Sequence, residues 1–262
     1  MKQVLTIAGS DSGSGAGIQA DLKTFFCHGV YGVNVITALT AQNTLGIKDI
    51  LPVEPSFVRA QLEAVDEDFI LDGVKIGMIP SIQVGFAIRE WLASRHPKNV
   101  VIDPVMVATC NRNLIETEEI VQAFGPIFRH AKLITPNLSE AGFLSGMKIH
   151  APEDMEEAAE RISQQFQCSV LIKGGHLSLT ASDYLLTNTT KKWFHQERIE
   201  NHNNHGTGCT LSSSIVANLA LGYDVCDAVQ KAKDYMTSLL KDRFDLGHGN
   251  GPLCHKMIEK DF

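Results

Sequence analysis

The chain has 262 residues, of which 44 % are hydrophobic and 20 % charged, and its formal net charge is −7. That apolar content suffices for a full core and excludes a disordered chain, while the acidic balance, with no Lys/Arg cluster longer than Lys191-Lys192, argues against a nucleic-acid partner. No run reaches bilayer-spanning length, Met1-Lys2-Gln3 leads into a short strand without a signal-peptide core, and the six cysteines show no CxxC spacing, so the expectation is a cytoplasmic protein with reduced thiols and no membrane partner.

Short apolar runs alternate with amphipathic ones along almost the whole length, the pattern of β-α units around a mostly parallel sheet. Residues 4–8 read as the first strand, 9–15 as a loop too rich in glycine for a regular element, and 16–27 as a helix. Further short, β-branched strands are predicted at 33–37, 74–76, 100–102, 133–134 and 170–172. Helical periodicity appears at 56–65, 82–93, 117–128, 154–165 and 227–240. Strands at 184–187 and 192–195, separated by Asn188-Thr189-Thr190, resemble a hairpin and put an antiparallel piece at one edge of the sheet. There is no internal repeat and no linker, so 1–262 reads as one domain.

In such a sheet, ligands bind outside the carboxyl ends of the strands. There the sequence places Asp11 in the first loop, with Asp21 in the helix after it, then Asp103-Pro104, Thr135-Pro136-Asn137 with Glu140, and Lys173-Gly174-Gly175-His176. Carboxylates for a cation, a lysine for phosphate and glycine-rich backbone donors are what phosphoryl transfer requires. The run His205-Gly206-Thr207-Gly208-Cys209-Thr210 reads as a glycine loop feeding a helix, whose first N–H groups form an anion site. A thiol at that entrance has its anionic form favoured, which would make Cys209 a proton acceptor or nucleophile. Plainer readings stand beside these: a tight turn with an inert Cys209, a turn-forming Asp103, a helix-capping Glu140, a surface Lys173, a Gln42 that satisfies backbone, and a core Met78. There is no Gly-x-x-x-x-Gly-Lys-Ser/Thr, and the spacing of Gly13-Ser14-Gly15-Ala16-Gly17 is wrong for a dinucleotide fingerprint.

Blocks in order along the whole chain resemble the hydroxymethylpyrimidine/phosphomethylpyrimidine kinases of thiamine biosynthesis, in the ribokinase-like superfamily. They include Ala8-Gly9-Ser10-Asp11-Ser12, Gly15 to Thr24, Val35 to Thr44, Lys75-Ile76-Gly77-Met78, Asp103-Pro104-Val105-Met106, Thr135 to Ala141, Lys173 to His176, His205 to Thr210 and Gly249-Asn250-Gly251-Pro252. The resemblance implies an α/β/α sandwich, usually a homodimer, that transfers the γ-phosphoryl of ATP to a pyrimidine hydroxymethyl group and commonly phosphorylates the product again. It implies Cys209 as base, the N–H groups from Gly206 to Cys209 (Gly208 included) on the moving phosphoryl oxygens, and Lys173, Asn137, Thr207 and Gly208 on ATP. Asp103 and Glu140 would hold Mg²⁺. Gln42 would read the aminopyrimidine edge, with Ala16, Met78 and Val105 as apolar walls and Asp21 facing the pocket.

The chain departs from the family pattern in three places. Asn204 stands where a threonine is usual, which implies altered nucleotide affinity. Ser14 replaces a loop glycine and would be strained if that position needs φ > 0. The lid segment after Met106 carries Cys110, which could share a proton path with Cys209 when a flap closes. A pyridoxal kinase and a non-catalytic vitamer sensor on the same scaffold remain as alternative readings.

Overall fold

The computed structural model describes residues 1–106, 117–175, 181–242 and 245–258. Among these residues nine strands form one sheet in the order β3-β2-β1-β4-β5-β6-β7-β8-β9. The strands are β1 (Gln3–Asp11), β2 (Tyr31–Asn43), β3 (Gly46–Pro52), β4 (Gly73–Ile76), β5 (Val100–Ile102), β6 (Leu133–Ile134), β7 (Ser169–Lys173), β8 (Asp183–Leu186) and β9 (Lys191–Phe194). From β2 to β7 all neighbours are parallel. Both edges are antiparallel: β3 on β2, and the hairpin of β8 and β9 on β7. The expected mostly parallel sheet with an antiparallel edge is therefore present, with a second antiparallel edge in addition.

Alternation along each strand sorts side chains to two cores. Leu5, Ile7, Val100, Ile102, Val170 and Ile172 face one way, where they pack with side chains of α2 (Pro55–Asp68), α3 (Ile82–Arg95), α4 (Thr117–Phe128), α5 (Leu138–Ser145) and α6 (Pro152–Phe166). Val4, Val101 and Leu171 face the other way, under α1 (Gly17–Cys27), α7 (Thr207–Ala220) and α8 (Val225–Lys241). The result is a three-layer α/β/α sandwich. Strands β5, β6 and β7 read as unbroken apolar runs because both faces are covered.

Two expectations need correction. The first strand does not stop at residue 8. It continues through Gly9 and Ser10 to Asp11, because β2 is long enough to pair with it past a bulge, matching Ser10 to Leu39 and Asp11 to Thr40. Strand β2 likewise runs beyond residue 37 and turns at Thr44-Leu45 into β3, a hairpin absent from the sequence reading. Its distal part leaves Leu39, Leu45 and Leu51 exposed, so it lacks the core-facing alternation that betrays a strand. The lid with Cys110, and His176, lie outside the described residues.

Candidate active site

A cavity of about 1080 Å³ opens at the carboxyl ends of β1, β4, β5 and β7. Its wall includes Ala16, Gln42, Met78, Asp103, Val105, Asn137, Glu140, Lys173 and the run from His205 to Cys209. All the sequence-predicted site residues except Asp21 thus meet in one space.

The α7 entrance is built on Gly206. This residue caps the helix with φ 85°, and a Cβ there would stand 1.9 Å from the carbonyl oxygen of Gly15. Only glycine fits, both for the left-handed backbone and for the contact. Helical geometry then leaves the N–H groups of Thr207, Gly208 and Cys209 without acceptors within α7. A Cβ at Gly208 would lie 3.2 Å from Asp103 Oδ2 and 3.4 Å from Lys173 Nζ, so the side-chain-free face of the first turn looks onto that pair.

Lys173, at the end of β7, donates to Asp103 Oδ1 at 2.7 Å, and Thr135 Oγ1 donates to the same oxygen at 3.0 Å. Asn137 caps α5: its side chain accepts from the Glu140 N–H at 2.9 Å, while Glu140 Oε2 accepts from the Asn137 N–H at 2.7 Å. The capping reading of Glu140 is therefore correct as far as it goes, and the carboxylate also faces Lys173 and Asp103. Burial pushes the Glu140 carboxyl up to about 7, with the Asp103 charge adding to the rise and Lys173 opposing it. Two carboxylates share one lysine, which leaves an excess of negative charge on hard oxygen donors. That set suits Mg²⁺, with water and phosphate completing its shell. Among the described residues no group of three or more His, Cys, Asp or Glu side chains could enclose a metal ion.

The side of the cavity toward β1 is organised by Asp11. Its Oδ1 accepts from the Gly13 N–H, and its Oδ2 from those of Gly15 and Ala16, at 2.8, 3.0 and 2.8 Å. Ser14 sits inside this loop at φ 58°, the left-handed conformation that a glycine would adopt without cost. His205 Nε2 lies 2.8 Å from Asp11 Oδ2 and 3.1 Å from Gln42 Nε2. Where His205 Nε2 carries the proton and donates it to Asp11, the Gln42 amide nitrogen finds no acceptor on that ring nitrogen. Gln42 Oε1 accepts from Thr40 Oγ1 at 3.0 Å. Burial would raise the Asp11 carboxyl, but His205 and the loop N–H groups outweigh it and hold it below 3.8.

Two expectations fail here. Asp21 does not face the pocket: it is fully buried and accepts from Thr6 Oγ1, Lys75 Nζ and Ser213 Oγ at 2.6, 2.8 and 2.7 Å. Nor is Cys209 a resting thiolate. Burial pushes its thiol up to about 11, and the opposing Lys75 charge and Gly17 N–H recover only part of that. Desolvation outweighs the helix-entrance effect on which the expectation relied. Asp11, His205 and Lys75 went unassigned in the sequence. The Asp-x-Gly spacing at Asp11 and Gly13 was a usable signal for a carboxylate that folds back on its own loop. Nothing local pairs His205 with Asp11, 194 positions away.

A family model described as phosphomethylpyrimidine kinase matches residues 11–254. The hydroxymethylpyrimidine/phosphomethylpyrimidine kinase of Rhizobium meliloti is 44 % identical over 96 % of this chain and 96 % of its own length. The thiamine biosynthesis bifunctional protein ThiED of Geobacter sulfurreducens is 45 % identical over 98 % of this chain, which spans 53 % of that longer protein. Among solved structures, an ADP complex of Bacillus subtilis pyridoxal kinase superposes with TM-score 0.89 at 37 % identity, covering 97 % of each chain. The phosphomethylpyrimidine kinase of Clostridium difficile gives TM-score 0.81 at 42 % identity over 91 % of this chain and 99 % of that one. The ribokinase-like sandwich, the glycine-capped α7 entrance and this likeness along nearly the whole length agree: the chain is a kinase and belongs to the phosphomethylpyrimidine kinase family.

Proposed function

We propose that this chain, acting as one kinase domain, transfers the γ-phosphoryl of ATP to 4-amino-5-hydroxymethyl-2-methylpyrimidine, and then phosphorylates the monophosphate to the diphosphate. The observation that carries this reading is the Lys173–Asp103 pair standing across Gly208 at the α7 N-terminus. It brings a cation, a carboxylate and oriented backbone donors to one point. Lys173, Asn137, Thr207 and Gly208 would contact ATP. Asp103 and Glu140 would hold Mg²⁺, which supplies charge neutralisation on the phosphates. Gln42 offers its amide to the pyrimidine edge, between the apolar walls of Ala16, Met78 and Val105.

Chemically, the Cys209 thiol first releases its own proton to water, and the thiolate so formed takes the proton of the hydroxymethyl O–H. The oxygen's electron pair forms the new bond to the γ-phosphorus, and the bond to the β-bridging oxygen breaks toward ADP. Because the transition state is loose, proton transfer comes late and the demand on the base is modest. The N–H groups of the first turn of α7 stabilise the equatorial oxygens.

The pyridoxal kinase neighbours favour a second reading in which a pyridine hydroxymethyl group is the acceptor. ADP release with Mg-ATP and, separately, the hydroxymethylpyrimidine, its monophosphate and pyridoxal decides between them. Release with the two pyrimidines supports the first reading, preference for pyridoxal replaces it with the second, and no release with any acceptor leaves a vitamer sensor. A homodimer fits the apolar edge where Leu39 and Leu51 stand opposite each other, both exposed, and sedimentation would show it. The unpaired state of the described cysteines and the lack of any described helix long and apolar enough to cross a membrane are compatible with a cytoplasmic enzyme.

A further inference from the structure

Beneath the α7 entrance lies a charged cluster to which the mechanism above gives no task. Lys75, on β4, and Asp21, on α1, form an ion pair of 2.8 Å in which both side chains are 0 % exposed. Asp21 is saturated by donors from three other elements: Thr6 of β1, Lys75 of β4 and Ser213 of α7. Lys75 has three N–H donors, and Asp21 Oδ2 takes one. A Cβ at Gly77 would fall 2.8 Å from Lys75 Nζ, so the ammonium occupies the side-chain space of the residue just past β4, at the sheet end where the cavity opens. Ser213 follows Cys209 by four residues on α7, which puts both on the same face of the helix. The Ser213 bond to Asp21 thus fixes Cys209 one turn above the ion pair.

A purely structural pair has little reason to be here. Sealing a lysine and an aspartate from water costs several kcal/mol per ion, and apolar residues of similar volume often do as well or better. The place of this pair, behind the one thiol among the described residues of the cavity wall, suggests a different use.

We propose that Lys75, held by Asp21, is a positioning residue for phosphoryl transfer: its ammonium is the fixed positive charge that stabilises the Cys209 sulfur while that sulfur is anionic and able to take the acceptor's proton. This deepens the assignment of Cys209 as base and depends on it. The charges that face the sulfur come from several elements: Lys75 from β4, Asp21 from α1, Asp103 from the end of β5 and Lys173 from the end of β7, with the Gly17 N–H at the start of α1. Asp21 and Asp103 act against the anion, so the lysines and the N–H must outweigh them. Of the groups that favour the anion, the Lys75 charge does most to oppose the effect of burial.

The test reads the sulfur directly and does not require turnover. Iodoacetamide alkylates the thiolate, forming the S–C bond and releasing iodide, and peptide-resolved mass spectrometry follows Cys209 apart from the other cysteines across pH. Lys75→Met should slow Cys209 alkylation about tenfold or more at a fixed pH below the midpoint, and move that midpoint up by about one unit or more. Lys75→Arg, which keeps the charge, should recover most of the rate. With the pyrimidine and ATP, Lys75→Met should lower kcat with little change in KM for ATP.

If Lys75→Met does not fold, Lys75→Gln, which keeps a donor toward Asp21 and removes only the positive charge, serves the same comparison. An alkylation profile that coincides with wild type in whichever variant folds overturns the proposal. The base assignment is read separately: Cys209→Ala with nearly full turnover would remove it, and the catalytic meaning of Lys75 with it, whatever the alkylation profile shows.

Discussion

Two lysine–carboxylate pairs flank the N-terminus of α7, and they differ in one respect. Lys173–Asp103 spans 2.7 Å with the lysine side chain 17 % exposed, while Lys75–Asp21 spans 2.8 Å with both side chains at 0 %. The geometry of the salt bridge is the same, so distance says nothing about role. Access to the cavity does. Lys173 has exposed surface toward the cavity, whereas Lys75 borders the same cavity with no exposed surface and holds an Asp21 that does not line it, so that pair must remain paired for the fold to hold.

That difference predicts opposite balances between stability and turnover. Lys75→Ala leaves Asp21 charged and unpaired in a dry site, and should cost about 3–5 kcal/mol in chemical denaturation. Lys173→Ala opens onto the cavity, where water can solvate Asp103. It should cost about 1 kcal/mol or less of stability, yet lower phosphoryl transfer on the order of 10²–10³-fold in steady-state assays. Equal stability losses for the two would erase the distinction.

A pH scan of stability sharpens it. On the sealed side His28 is buried between the Thr24 carbonyl and Ser214 Oγ, at 2.8 and 2.7 Å, and burial pushes it down to about 4. Below its ordinary 6.5 the unfolded chain takes a proton that the folded one refuses. Its contribution, about 3 kcal/mol, is therefore full above pH 6.5 and lost as pH falls toward 4. Glu140, beside the open pair, has the reverse sign: raised from 4.5 to about 7, it holds its proton in the fold, so stability falls as pH rises across that window. The two windows overlap with opposite sign, so between about pH 4 and 7 the melting temperature of His28→Gln should fall more steeply with rising pH than that of wild type, and that of Glu140→Gln less steeply. The smallest effect concerns the acceptor loop. Ser14→Gly should stabilise by roughly 0.5 kcal/mol, the left-handed strain relieved less the entropy that glycine adds to the unfolded chain, without changing turnover.

The sequence was informative where chemistry is local. Gly206, Gly208, Asn137 with Glu140, and Lys173 at a strand end each carry their reason within a few residues: a φ that only glycine adopts freely, a cap three positions from its partner, a strand that ends. It was silent where chemistry is assembled across the fold. Asp21 looked like a pocket residue because its place in α1 says nothing of Lys75, 54 positions on, that turns it inward. The β2–β3 hairpin hid because its exposed face breaks the apolar alternation. The thiolate expectation for Cys209 fails for a related reason: helix entrance is visible in sequence, but the desolvation that outweighs it belongs to the packed site.

The most direct test of the central claim is single-turnover transfer of a labelled γ-phosphoryl from ATP to the hydroxymethylpyrimidine, with enzyme in excess over ATP. The wild-type chain should give labelled pyrimidine monophosphate in near-stoichiometric yield, and Lys173→Ala, verified as folded, should give almost none in the same time. Full transfer by Lys173→Ala, or no transfer to the pyrimidine by wild type, would contradict the account.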